Sequence, residues 1–173
     1  MRIAALATLL MCLPLTLWPG LASASSVNSK AASADAHSAA PSFRLPAVEG
    51  TVDSDSLRGH PVLVDFWASW CGPCAESFPW LKSVQERYAD KGLKVVAINL
   101  DKKREAAEDF LLKHEAPFTV AFDPEGKTAE AFQVQSMPSS FLLAPDGTIL
   151  YTKHGFRADH TEEIEAKIEE VCQ

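Results

Sequence analysis

From Ser42 onward the chain alternates short apolar runs with amphipathic stretches, and each change of period marks an element. Pro61-Val-Leu-Val-Asp-Phe-Trp67 is apolar on both faces, as a strand at the centre of a sheet must be. A helix is expected from Cys71 to Ala89, with Phe78, Leu81, Val84 and Tyr88 at helical spacing. Leu93 to Leu100 repeats the buried-strand pattern. Lys103 to His114 reads as a helix with Ala106, Phe110 and Leu111 inward. Thr119 to Phe122 is a short strand, followed by a turn at Asp123-Pro-Glu-Gly126 and a helical piece from Lys127 to Phe132. Ser140 to Ala144 and Thr148 to His154 form a hairpin through Pro145-Asp146-Gly147. Asp159 to Val171 is a closing acidic helix with Ile164, Ile168 and Val171 inward. Strands alternating with helices, then a hairpin and a last helix, predict an α/β three-layer sandwich.

Before Ser42 the pattern differs. Met1-Arg2 leads into an apolar run from Ile3 to Trp18, then Pro19-Gly-Leu-Ala-Ser-Ala24, with small residues at 22 and 24. A positive end, an apolar middle and small residues at the close predict a secretory signal over residues 1–24, cut after Ala24, and so an exported protein. The alternative is an uncleaved membrane anchor, but Pro14, Pro19 and Gly20 interrupt a stretch already short for a bilayer core of about 30 Å. Cys12 lies inside the apolar run behind Met11, where a lipoprotein would have a small residue, and leaves with the leader. Residues 25–41 are rich in Ala and Ser, hold no aromatic residue, and read as a flexible linker with a solvated His37. One domain, residues 42–173, remains.

Composition narrows the function. Of 173 residues, 47% are hydrophobic and 23% charged, the balance of an ordinary globular domain. Sixteen bases against 23 acids leave a formal charge of −7 and no electrostatic footprint for nucleic acid. The four cysteines stand at 12, 71, 74 and 172, too few for a disulfide-stapled scaffold, and only Cys71 and Cys74 are close.

Cys71-Gly72-Pro73-Cys74 follows the central strand directly and opens a helix. Unpaired N–H groups and the helix dipole there favour an anion, so Cys71 is poised as a thiolate; in such settings a thiol pKa falls from about 8.5 to roughly 3.5–7.5. Cys71 should attack a substrate disulfide and Cys74 should resolve the mixed disulfide. A zinc half-site would need a second pair, which the chain lacks. The charged residue inside the central strand, Asp65, is expensive to bury ionised and is expected to be protonated for part of its cycle.

Val64-Asp-Phe-Trp-Ala-Ser-Trp-Cys-Gly-Pro-Cys74 resembles the active-site stretch of thioredoxins, and Ser136-Met-Pro-Ser-Ser-Phe-Leu-Leu143 resembles the loop and strand that carry their cis-proline. The leader, Pro41-Ser-Phe-Arg-Leu-Pro46, Leu57-Arg-Gly-His-Pro-Val62 and the insert after Asp101 look like the TlpA/ResA branch, exported disulfide reductases. The resemblance spans about Ser42 to Val171. It implies a thioredoxin fold with a central mixed sheet, an N-terminal strand extension and a TlpA-type insert. It also implies a cis Met137–Pro138 bond that sets the Met137 backbone beside Cys71 to pair with a substrate strand, while Pro138 denies the sulfurs a competing ligand. Asp65 becomes the candidate general base for Cys74. Many TlpA-type members have Asn there and an acid three residues after the second cysteine; here that position is Ser77, with Glu76 displaced by one.

Trp70, Gly72, Pro73 and Met137 are the expected substrate-binding residues, with Trp67 beneath the site and Pro79 expected to kink the first helix. Cys172, the odd cysteine, is read as a free thiol, an inter-subunit bridge, a glutathione acceptor or a frayed-end thiol without function. The implied function is reduction of protein disulfides in the periplasm by a monomer that needs no cofactor and no metal. Electrons would come from a membrane thiol-disulfide donor, and targets would include the heme-binding cysteines of cytochrome c maturation. The alternatives are an oxidase running the same exchange in reverse, because only potential separates the two, and a Cu(I) chaperone using the thiolates with His154 or His160.

Overall fold

The structure, a computed structural model, describes residues 38–173. Its centre is a five-stranded sheet in the order β5-β4-β3-β6-β7. Strand β3 (Val62–Trp67) is buried at all six positions, which explains why its sequence lacks an alternating pattern. It runs parallel to β4 (Lys94–Asn99) on one side and antiparallel to β6 (Ser139–Leu143) on the other. The parallel edge strand β5 (Thr119–Phe122) comes from the insert after Asp101, and β7 (Ile149–His154) forms the other edge. The expected mixed sheet is therefore present, and the insert supplies one of its strands.

The two faces of the sheet bury different partners. Leu63 and Trp67 on β3, with Leu142 on β6, face helix α1 (Gly72–Tyr88), helix α2 (Arg104–Leu111) and helix α4 (Glu162–Val171). Val62, Val64, Phe66 and Phe141 face the other way. There they meet helix α3 (Lys127–Ala131), Phe132, and the N-terminal hairpin of β1 (Arg44–Pro46) and β2 (Thr51–Asp53). That second layer is thin, one five-residue helix and a hairpin, and the hairpin leans on β5 through Val48 N–H to Val120 O.

Several local expectations are corrected. The inward residues of α2 are Ala107 and Phe110, whereas Ala106 and Leu111 are half-buried, because this helix meets the sheet one position further round. On α4, Val171 is half-buried and Cys172 takes the buried place. Cys172 is thus neither frayed nor presented to a partner; it is a free thiol in the core, and burial pushes its pKa up, against thiolate chemistry. Helix α1 runs unbroken past Pro79, whose ring is on the exposed side.

The linker ends earlier than composition suggests. Ile149 donates to Ser38 O, Ala40 donates to Gly147 O, and Ala39 bridges Thr148, so residues 38–40 are tied to the start of β7. Backbone groups at an open sheet edge need partners whatever side chains their neighbours carry. Residues 1–37, and with them the leader, its cleavage site and most of the linker, lie outside the described residues.

Candidate active site

The site is built where β3 ends. A loop of Ala68, Ser69 and Trp70 leads into α1, and Cys71 is the residue that caps it. The Cys71 backbone is extended, its carbonyl accepts from Cys74 N–H and Ala75 N–H, and its sulfur lies 3.3 Å from Cys74 N. A sulfur so placed faces the helix's unpaired donors, which favour a thiolate over a thiol. Pro73 sits in the first turn, where its missing N–H costs no helical hydrogen bond. Gly72 and Pro73 are exposed, Cys71 keeps 7% of its surface, and Cys74 has none.

Cys71 and Cys74 are joined as a disulfide, with Cα atoms 5.2 Å apart. Met137 packs against the cluster that contains both sulfurs, and its bond to the buried Pro138 is cis, the geometry expected from the motif. Trp70 stands out at 72% exposure beside the pair. Trp67 has the opposite environment. It is fully buried, edge-on to Phe78 and tilted against Phe110, both at 4.8 Å, and its indole Nε1 has no partner among the described residues. Phe110 comes from the insert, so α2 helps to close the floor of the site.

Asp65 lies between Leu63 and Trp67 on β3, and strand alternation turns it to the same face as they are. It is fully buried. Its β6 register partner, Ser140, donates its hydroxyl to Asp65 Oδ1 at 2.6 Å, and Oδ2 has no partner among the described residues. Burial pushes the carboxyl up to about 7, and the Ser140 bond opposes the shift without cancelling it. Ser77 is buried and spends its hydroxyl on the Cys74 carbonyl, while Glu76 is exposed. His154 closes β7 with Nδ1 3.0 Å from Ser139 Oγ, and His160 lies in the turn after it, 3.9 Å from Asp159.

One residue that sequence reasoning missed is Asp101. It is buried two residues beyond the end of β4 and collects the Ser69 N–H at 2.9 Å, the Ser69 hydroxyl at 3.0 Å and the Asn99 amide at 2.7 Å. The carboxylate thereby ties β4 to the loop that carries Trp70 and Cys71. An Asn-x-Asp spacing that closes an apolar strand is the signal in the chain that could have marked it. We expect Asp101→Ala to lose about 3 kcal/mol in urea unfolding, because charge-assisted bonds are lost and the buried Asn99 amide is left without an acceptor. Asp101→Asn, which keeps an acceptor, should lose about half of that.

The family model described as Redoxin matches residues 35–168. The chain belongs to the Redoxin family. A solved Chlorobium tepidum protein assigned as thiol:disulfide interchange protein DsbE is 45% identical and superposes with a TM-score of 0.79, the match covering 80% of this chain and 99% of that one. StoA of Bacillus subtilis superposes with a TM-score of 0.61 at 27% identity, covering 72% of this chain and 96% of that one. Thiol-disulfide oxidoreductase ResA of Oceanobacillus iheyensis is 30% identical over 116 residues, which are 64% of this chain and 60% of that protein. The chain thus spans less than two thirds of that curated relative's length. These relatives bear out the thioredoxin fold and the ResA-like resemblance read from the motifs.

Proposed function

We propose that this protein is a thiol-disulfide oxidoreductase that reduces protein disulfides by dithiol exchange through Cys71 and Cys74. The observation that carries the reading is the asymmetry of the pair: Cys71 caps α1 with its sulfur at the helix N-terminus and the rim, while Cys74 is wholly enclosed one turn on. A substrate sulfur can approach the first and not the second. The Cys71 thiolate attacks the substrate disulfide, forming a mixed disulfide and releasing one substrate thiolate. The Cys74 thiolate then attacks the Cys71 sulfur, which releases the second and leaves the Cys71–Cys74 bond. Two electrons have passed from the protein to the substrate.

In this reading Asp65 accepts the proton of Cys74, as a carboxyl titrating near neutrality is fitted to do. Trp70, Gly72, Pro73 and the Met137 backbone form the surface on which a substrate strand lies, and Pro138 keeps other groups from the sulfurs. Residues 1–24 export the protein to the periplasm and are removed after Ala24, the Ala/Ser-rich stretch that follows is a spacer, and a membrane donor of the thiol-disulfide type returns the electrons. Heme-binding cysteine pairs of cytochrome c maturation are the substrate class that the ResA-like motifs suggest, and the protein acts as a monomer.

The test is the equilibrium potential of the Cys71–Cys74 pair against glutathione. We expect a value at or below about −230 mV, in the range of reducing dithiols, given the Gly-Pro dipeptide between the cysteines; a value near −120 mV would overturn the reductase reading in favour of an oxidase.

A further inference from the structure

His154 is one of the two histidines that the Cu(I) alternative would draw on, and the exchange reaction leaves it without a role. It is the β7 register partner of Ser139, the residue directly after Pro138. Ser139 is fully buried, and its hydroxyl oxygen lies 2.7 Å from the Ser136 carbonyl and 3.0 Å from His154 Nδ1. A serine hydroxyl has a single proton. Given to the Ser136 carbonyl, that proton leaves the oxygen able only to accept from the imidazole, so Nδ1 must carry a hydrogen. The next residue along, Gly155, donates its N–H to the Pro138 carbonyl at 2.7 Å. The end of β7 therefore holds two adjacent residues at the close of the Ser136–Ser139 loop, Pro138 through backbone and Ser139 through the His154 ring, and the Ser139 hydroxyl carries that hold across to Ser136.

We propose that His154 is a positioning residue for substrate binding: its Nδ1–H holds the Ser139 hydroxyl in the bond to Ser136 O, and this clasp sets the Met137 backbone that a substrate strand pairs with. The inference rests on the proposed reduction of protein disulfides at this loop. His154 itself touches neither sulfur in this scheme, and the imidazole is exposed at the end of the strand. Both the neutral Nδ1–H tautomer and the imidazolium donate from Nδ1, so the clasp survives a change of charge on the ring. Without the ring, the buried Ser139 oxygen loses its donor, and its hydroxyl is free to leave the Ser136 carbonyl.

Insulin reduction with dithiothreitol as electron source separates binding from chemistry. We expect His154→Ala to raise KM for insulin about five- to tenfold, the worth of roughly one hydrogen bond, with kcat within twofold of the parent. His154→Asn should restore KM, because its amide nitrogen occupies the place of Nδ1; His154→Gln, which reaches the place of Nε2, should not. An unchanged KM in His154→Ala, a fall confined to kcat, or equal behaviour of the Asn and Gln variants overturns the proposal. Nitrogen-15 spectroscopy of the unsubstituted protein gives a reading that needs no variant to fold: the neutral imidazole of His154 should be protonated at Nδ1, and a proton on Nε2 instead overturns the clasp. If the unsubstituted protein fails to reduce insulin, the underlying functional reading falls, and the tautomer still decides whether the clasp exists.

Discussion

With Cys74 replaced by Ser, the reduced protein should capture its substrate and fail to release it. Cys71 still has its place at the start of α1, where the helix donors stabilise a thiolate, so the first attack proceeds. The second does not, because a serine hydroxyl cannot displace the substrate from Cys71. A mixed disulfide should accumulate, stable on a non-reducing gel and dispersed by dithiothreitol, and multiple-turnover reduction should fall on the order of 10³-fold or more. Cys71→Ser should lose turnover equally and trap nothing. The burial of Cys74 makes this contrast sharp: were the two sulfurs equally open, either variant would form adducts. A Cys71→Ser protein that traps substrate as well as Cys74→Ser does would reverse the assignment of attacker and resolver.

Asp65→Asn should stabilise the protein at neutral pH and slow its resolving step. A carboxyl that titrates at about 7 in the fold and at 3.8 when unfolded is held protonated by the native state, so the unfolded chain binds fewer protons between those values. Stability therefore falls as pH rises from about 4 to about 7, and above 7 the fold bears the full cost of an ionised group inside a strand. Three pH units correspond to about 4 kcal/mol at most. Asn has the same shape and no charge, so it removes that loss. In urea unfolding of the oxidised protein, the variant should gain a few kcal/mol at pH 8 and nothing at pH 4. An equal difference at both pH values would show that Asp65 is not held protonated by burial. If Asp65 also takes the proton of Cys74, release of the mixed disulfide should slow in the variant and lose its dependence on pH near 7.

Much of the fold is legible because short-range patterns carry it. The apolar run of β3 announces a strand covered on both faces, and Phe78, Leu81 and Val84 on α1 face the core as their spacing requires. The Asp-Gly of the β6–β7 connection marks a turn whose Gly147 has a φ of +82°, a conformation that side chains resist. Where the pattern misleads, the signal is weak in kind. Ala106 and Ala107 are identical neighbours, and only the angle at which α2 meets the sheet decides which is buried. Val171 and Cys172 compete in the same way at the end of α4.

The candidate site divides along the same line. Cys71-Gly-Pro-Cys74 after a buried strand is a local arrangement: four residues and the start of a helix contain the disulfide, the cap and the difference between an accessible sulfur and an enclosed one. The sequence by itself therefore marked the dithiol pair, the attacking and resolving roles proposed for it and the strand–helix unit that holds it. It also marked Asp65 as out of place and Met137–Pro138 as special. Only the tertiary structure decided what meets them: Ser140 on the Asp65 carboxyl, Phe110 of the insert under Trp67, Asp101 beneath Ser69, and His154 on Ser139. These contacts join residues 15 to 75 positions apart, from Ser139–His154 to Asp65–Ser140. Side chains so distant in the chain leave no periodic trace in it, and their meeting is set by which strands neighbour β3 and in what register.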